Sequence, residues 1–331
     1  SARSIPSAVY DPASNRMTVF GGGTPTGLAN DVWVLENANG LGGTPTWTQL
    51  TPTGGPPTAR NGHTGVYDPA TNRMTVFGGN LSIGNCTVMA SDVWVLTNAN
   101  GQGGTPTWAQ LSATGTPPPA RSGHTASYNP TTNRMTVFGG WINICVAPTG
   151  NQVWVLTNAN GQGGAPIWTQ LSPTGSLPVA RTVHSAVYDP GTNRMTVFGG
   201  HSANVYVNQV WVLTDADGLG TPSWTQLSPT GGPPSGRSSH TAIYHPTTNR
   251  MTVFGGDTAN GRVNDLWVLA EANGQPGQTW TQLTPSGTPP VTRHRHSAVF
   301  DPAANRLIVF GGAHPTGGCT QGSMNDAWVL T

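Results

Sequence analysis

No lysine occurs anywhere in these 331 residues, and charged side chains make up only 8% of them. All 14 cations are therefore arginines, set against 13 carboxylates for a net charge of +1. So sparse and balanced a charge excludes nucleic acid as a partner, because phosphates need many clustered cations. No apolar run approaches the ~18 residues of a membrane span, and nothing at the start reads as a signal peptide. No window sustains helical spacing of apolar residues, which makes the expected class all-β. A surface left to Thr, Ser, Asn, Gln and Gly suits an extracellular or cell-surface protein. Cysteine is scarce, with three in the chain; Cys86 and Cys145 are expected to bridge neighbouring loops, leaving Cys319 over, against the alternative of three thiols.

What the chain has in excess is repetition. Gly-Gly pairs begin at Gly21, Gly78, Gly139, Gly199, Gly255 and Gly311, and a Trp follows each, at Trp33, Trp94, Trp154, Trp211, Trp267 and Trp328. Self-similarity at this period, built from strand-like runs, indicates a propeller or a solenoid. Each unit reads as four strands, A to D, typified by His63 to Tyr67, Arg73 to Phe77, Val93 to Leu96 and Trp108 to Leu111. Turns such as Asp68-Pro-Ala-Thr-Asn72 separate A from B, and Asn-Gly-rich turns separate C from D. The 45 glycines and 29 prolines fall at repeated turn positions rather than in disordered tracts. Each buried Trp is worth roughly 4–6 kcal/mol at most, so eleven repeated ones suffice to cement the units.

An Arg-x-x-His opening, a strand ending in Gly-Gly and two successive Trp strands resemble the kelch repeat of secreted bacterial proteins over essentially the whole chain. The resemblance implies a six-bladed β-propeller of four-stranded antiparallel blades, with strand A at the axis and D at the rim. We expect one domain over 1–331, with repeats at 1–57, 58–119, 120–179, 180–235, 236–291 and 292–331. The D-strand Trp occurs five times, at Trp47, Trp108, Trp168, Trp224 and Trp280. Blade 6 is therefore expected to lack its outer strand in this chain. Kelch propellers usually complete that blade from the other terminus; here trimming, a three-stranded blade and a strand donated by a neighbour all remain open. An uncovered edge near Trp328 would favour self-association.

In such a meander the D-to-A and B-to-C connections share one face. The A-to-B and C-to-D turns are nearly uniform, whereas the B-to-C loops differ in length and content, so recognition is assigned to the loop face. Six arginines open the A strands there: Arg3, Arg60, Arg121, Arg181, Arg237 and Arg293. The Asp before each C-strand Trp (Asp31, Asp92, Asp265, Asp326) is a candidate partner, but blades 3 and 4 carry Gln152 and Gln209. Arg121 and Arg181 would then keep spare charge, next to the irregular Trp141, His201 and Tyr206. Forked donors beside flat aromatics suit a carbohydrate or carboxylate. The expected ligand residues are Arg60, Arg121, Arg181, Arg237, Arg293, Trp141, His201 and Tyr206, and the expected ligand is a glycan or a partner protein. The arginines before the B strands, Arg16 among them, are expected to pair with the turn Asp of their own blade.

No metal or cofactor is expected. His63, His124, His184, His240 and His296 are one per blade, as kelch histidines are, and too dispersed for tetrahedral ligation. The cluster Arg293-His-Arg-His296 with His314 and Cys319 sits among repelling arginines, and Asp215-Ala-Asp-Gly218 lacks the bidentate Glu of a calcium loop. The carboxylates are repeat-bound apart from Asp257, and no pair suits glycoside hydrolysis. The alternative to a binding module is a sugar-modifying enzyme, mutarotase-like, with an Arg/His site at the axial mouth.

Overall fold

Strand pairing follows directly from the repeat. Tyr67, Val66 and Thr64 of strand A stand opposite Met74, Thr75 and Phe77 of strand B, which in turn faces Leu96, Val95 and Val93 of strand C. Leu96 then meets Trp108 of strand D. The computed structural model describes residues 1–81, 88–142, 149–314 and 322–331. Blade 1 consists of Ser7–Asp11, Arg16–Thr24, Gly27–Glu36 and Thr46–Leu50. Blade 2 consists of Thr64–Asp68, Arg73–Asn80, Met89–Thr97 and Thr107–Gln110, so His63 lies just before strand A and not within it. Blades 3, 4 and 5 repeat the order, and blade 6 has three strands among the described residues: Ser297–Asp301, Arg306–Phe310 and Ala327–Leu330. The protein is an all-β, six-bladed propeller. Among the described residues no helix is long and apolar enough to cross a membrane.

The Gly-Gly pair is dictated by crowding both within a blade and against the next one. Gly78 has φ +66°, and a Cβ there would lie 2.8 Å from the Arg121 carbonyl oxygen. At Gly79, φ +103°, it would lie 2.8 Å from Cβ of His63. Only glycine fits both the left-handed backbone and the gap, and the register slips by a bulge there.

The core lies between blades. Trp108 of blade 2 packs on Phe20 of blade 1 with ring centroids 4.9 Å apart, and Trp168, Trp224 and Trp280 repeat the contact on Phe77, Phe138 and Phe198 at 5.0 Å. Trp47 of blade 1 packs on Phe310 of blade 6 at 4.8 Å, which closes the wheel. Near the axis, each repeat histidine lies edge-on to the strand-B Phe of the preceding blade and bonds a hydroxyl of that blade through Nε2, as His63 does to Ser7 Oγ at 2.8 Å and His184 to Thr125 Oγ1 at 2.9 Å.

The opposite face corrects one expectation. Arg16 does not bond Asp11: its guanidinium donates to the Asn100 carbonyl of the next blade at 3.1 Å and pairs with Glu36 at 2.9 Å. Arg73, Arg134, Arg194 and Arg306 likewise reach the next C–D turn, at Asn160, Asp217, Asn273 and Asn39. Asp11 instead caps its own turn at Ala13 N and accepts Asn100 Nδ2 at 2.6 Å. The physical reason is reach, since the long arginine spans the seam while the short Asp serves the turn beside it.

Candidate ligand-binding face

The opening arginines are shaped by the turn that precedes strand A. Arg60 is fully buried; Nε donates to the Thr58 carbonyl at 2.9 Å and Nη1 to that of Gly78 at 2.9 Å. Its fork closes on both oxygens of Asp92 at 2.6 and 2.9 Å. Trp94 Nε1 donates to the same carboxylate at 2.7 Å. Arg3 with Asp31, Arg237 with Asp265 and Arg293 with Asp326 form the same bidentate clasp, each with its C-strand Trp. Burial pushes these carboxyls up, but the Arg and Trp hydrogen bonds outweigh it and hold all four below the usual carboxylate range. Arg60, Arg237 and Arg293, three of the expected ligand residues, thus form this clasp. Their forks are consumed inside the fold, and Gly78, Gly255 and Gly311 supply the remaining acceptors.

Blades 3 and 4 depart from this pattern. Arg181 Nη2 donates to Gln209 Oε1 at 2.7 Å, a neutral partner. Arg121 holds the carbonyls of Pro119 and Gly139, but its buried Nη2 has no hydrogen-bond partner, and neither do Gln152 Oε1 and Trp154 Nε1. Two buried donors thus point to where a carboxylate stands in four sister blades. Burial pulls both arginines down to about 10, still charged at neutral pH.

The expected aromatics flank these blades. Trp141 pairs its backbone with Ser122 and Thr149, directly after Arg121, and is half-buried. His201 and Tyr206 face each other across a hairpin, rings 5.3 Å apart and T-shaped. Ala203 and Asn204 turn that hairpin with positive φ of 45° and 66°, as a two-residue turn between strands requires. Cys86 and Cys145, expected to bridge, and Cys319 lie outside the described residues.

One cluster escaped the sequence reading. Asp257 accepts from His294 Nδ1 and, at 3.2 Å, from Arg262 Nε, and Arg262 also donates to the His314 carbonyl. Burial lowers His294, although Asp257 pulls the other way; burial raises Asp257, but its two partners hold it low. The signal available was the irregularity itself, because Asp257 and His294 both replace uncharged residues of the repeat.

These observations define a class: a closed propeller laced by an arginine–carboxylate clasp on one face and an arginine–carbonyl clasp on the other. The KLHDC2/KLHL20/DRC7 Kelch-repeats domain matches in three overlapping stretches, residues 1–157, 84–218 and 133–331. The chain belongs to the Kelch-repeat family. Its curated relatives include Adagio-like protein 3 of Oryza sativa subsp. japonica, 30% identical over 306 residues, or 90% of this chain and 44% of that protein. Kelch domain-containing protein 3 of Homo sapiens is 29% identical over 273 residues, 78% of this chain and 63% of that protein. The chain thus spans roughly half the length of the curated relatives it matches. Among solved structures, YjhT superposes with a TM-score of 0.70 over 100% of this chain and 95% of that one, at 14% identity, a likeness of fold alone.

Proposed function

We propose that this chain is a secreted or cell-surface binding module that recognises a carboxylate-bearing glycan or protein on the B–C loop face of blades 3 and 4. Kelch propellers are in general protein-interaction modules, and the sparse, lysine-free surface supports the extracellular setting. The observation that carries the reading is the bare Nη2 of Arg121 beside Trp154 Nε1. A buried guanidinium nitrogen left without an acceptor costs about 1–3 kcal/mol, which an incoming carboxylate would offset. The sister carboxylates at this position are 23–39% exposed, so an acceptor standing there reaches solvent. Trp141, His201 and Tyr206 then supply flat surface for the rest of the ligand. The carboxylates that could serve hydrolysis are engaged, Asp257 by His294 and Arg262 and the four clasp residues by arginine, which favours binding over catalysis.

The test is a screen of acidic and neutral glycans and of peptides with and without a free carboxylate, followed by calorimetry. Acidic ligands should bind, and Trp141→Ala together with Arg181→Ala should weaken them at least tenfold. Binding that ignores those changes, or a preference for neutral ligands, would overturn the reading.

A further inference from the structure

Blades 3 and 4 hold the same three side chains in the clasp, and one of the two clasps is shut. In blade 4 Gln209 Oε1 accepts Arg181 Nη2 at 2.7 Å and Trp211 Nε1 at 3.4 Å, so a neutral amide stands in for the carboxylate. Gln152 of blade 3 does not do this for Arg121 and Trp154. Arg121 Nη2, Trp154 Nε1 and Gln152 Oε1 are instead all buried with no hydrogen-bond partner among the described residues.

The residue two before the glutamine decides the difference. That position holds Ala29, Ala90, Gly150, Val207, Val263 or Met324, and in each blade its carbonyl accepts the amide of the next opening arginine. Gly150 accepts from Arg181 at 3.2 Å and Val207 from Arg237 at 3.2 Å, so the two are equivalent. A Cβ placed on Gly150 would stand 2.6 Å from Gln152 Oε1, and the next atom it would meet, the Gly140 carbonyl oxygen, is 3.6 Å away. The Gln152 amide is thus folded into space that a side chain fills in every other blade. In blade 4 Val207 occupies that space, which keeps the Gln209 amide out and turns it onto Arg181. The backbone does not require glycine here, because φ of Gly150 lies outside the left-handed region. Its effect is to hold the clasp open.

The open clasp presents two donors and one acceptor. In blade 2 the matching donors, Arg60 Nη2 and Trp94 Nε1, meet on a single oxygen, Asp92 Oδ2, at 2.9 and 2.7 Å. A carboxylate entering blade 3 can take that place, since Arg121 keeps the grip on the Gly139 carbonyl that Arg60 keeps on Gly78. A carboxylate alone leaves Gln152 Oε1 unmet. A buried acceptor is satisfied by a donor, so the complementary ligand carries an O–H beside its carboxylate.

We propose that the blade-3 clasp binds an α-hydroxy carboxylate. Arg121 and Trp154 hold the carboxylate, Gln152 Oε1 accepts from the hydroxyl, and Gly150 makes room for the arrangement. The inference rests on the anion-binding reading above and narrows it to one blade and one class of acid.

The experiment titrates the 331-residue protein with sodium glycolate, sodium acetate and neutral glycolamide at matched ionic strength, read by calorimetry and melting temperature. Glycolate should raise the melting temperature and bind about tenfold more tightly than acetate, the worth of one hydrogen bond. Glycolamide should have no effect. Gly150→Val should turn Gln152 onto Arg121 and Trp154, raising the melting temperature of the free protein and abolishing the response to glycolate. Gln152→Met, which removes the acceptor at similar volume, should bring glycolate down to the level of acetate and serves if Gly150→Val does not fold. Equal binding of acetate and glycolate would overturn the hydroxyl contact while leaving the wider carboxylate reading in place. Glycolate binding that persists in a folded Gly150→Val protein, or that stays above acetate in Gln152→Met, overturns the assignment to this clasp. No response to millimolar glycolate overturns the inference whatever the wider ligand screen returns.

Discussion

The amide of Ile5 in blade 1 donates to the carbonyl of Arg295 in blade 6 at 2.8 Å. It is one of six such bonds, running Arg295 to Ser239, Ser239 to Val183, Val183 to Gly123, Gly123 to Gly62 and Gly62 back to Ile5. A closed ring of backbone hydrogen bonds thus encircles the axis on the loop face, and every member has positive φ, between 47° and 61°. Two of the six are glycine, while Ile5 and Val183 are β-branched and strained there.

That strain is testable in both directions. Val183→Gly should raise stability by about 1 kcal/mol, the relief of strain exceeding the entropy cost of glycine in the unfolded chain. Gly123→Val should lower it by about 2 kcal/mol or more, since its Cβ would stand 2.6 Å from Thr182 Oγ1. Chemical denaturation of both variants checks this, and equal signs would contradict it.

Gln152→Asp rebuilds the clasp that blade 3 lacks. Arg121 and Trp154 then hold an internal carboxylate, so stability at pH 7 should increase by about 1–3 kcal/mol and binding of acidic ligands at this blade should be lost. A carboxyl held below its unfolded value stabilises above that value, 3.8 in the sister residues, and the gain disappears as pH falls below about 4. Denaturation at pH 7 and pH 3 on wild type and variant measures it; a gain that persists at pH 3 would exclude the ion pair as its source.

The five axial histidines set an acid limit. Burial lowers His63 and His296 from 6.5 to about 3 and puts His124, His184 and His240 well below 6.5, with neighbouring arginines adding to the effect. The unfolded chain therefore binds these protons first as pH falls below about 6.5, and each histidine then costs about 1.4 kcal/mol per pH unit. Stability should be full above pH 6.5 and collapse steeply on acidification, with an uptake of at least about five protons, to which His245 and His294 add, read from the pH dependence of the unfolding free energy. An uptake of about one proton in that range would show that the rings ionise in place.

Asn129 and Asp217 exchange the roles that Asp and Asn hold at other seams. Asn129→Asp alone sets two carboxylates face to face and should cost about 2 kcal/mol; adding Asp217→Asn should recover most of it. A double variant no better than the single would remove the coupling inferred from this 2.9 Å contact.

Much of this could be read in the sequence because the repeat states each relationship several times. Gly-Gly with its neighbouring His, the alternation of Arg73 to Phe77, and Asp or Gln before each Trp specified blades, register and the Arg–Asp pairing. The turn residue Asp11 is near Arg16 in the sequence, whereas the Arg16 acceptor Asn100 is 84 residues away, and only packing brings that carbonyl within reach. The Asp257–His294 pair joins blades 37 residues apart, and no periodicity announces it.

The sequence by itself determined the elements, their number and the residues each seam requires, since short-range sterics and alternating burial act on neighbours along the chain. Closure of the ring was decided only in three dimensions, by bonds such as Ile5 to Arg295 and contacts such as Trp47 on Phe310. So was the fate of the arginines: identical residues became buried braces or a bare donor according to the side chain a different strand brought to them. Charge compensation depends on distance in space, which a linear order of residues does not contain.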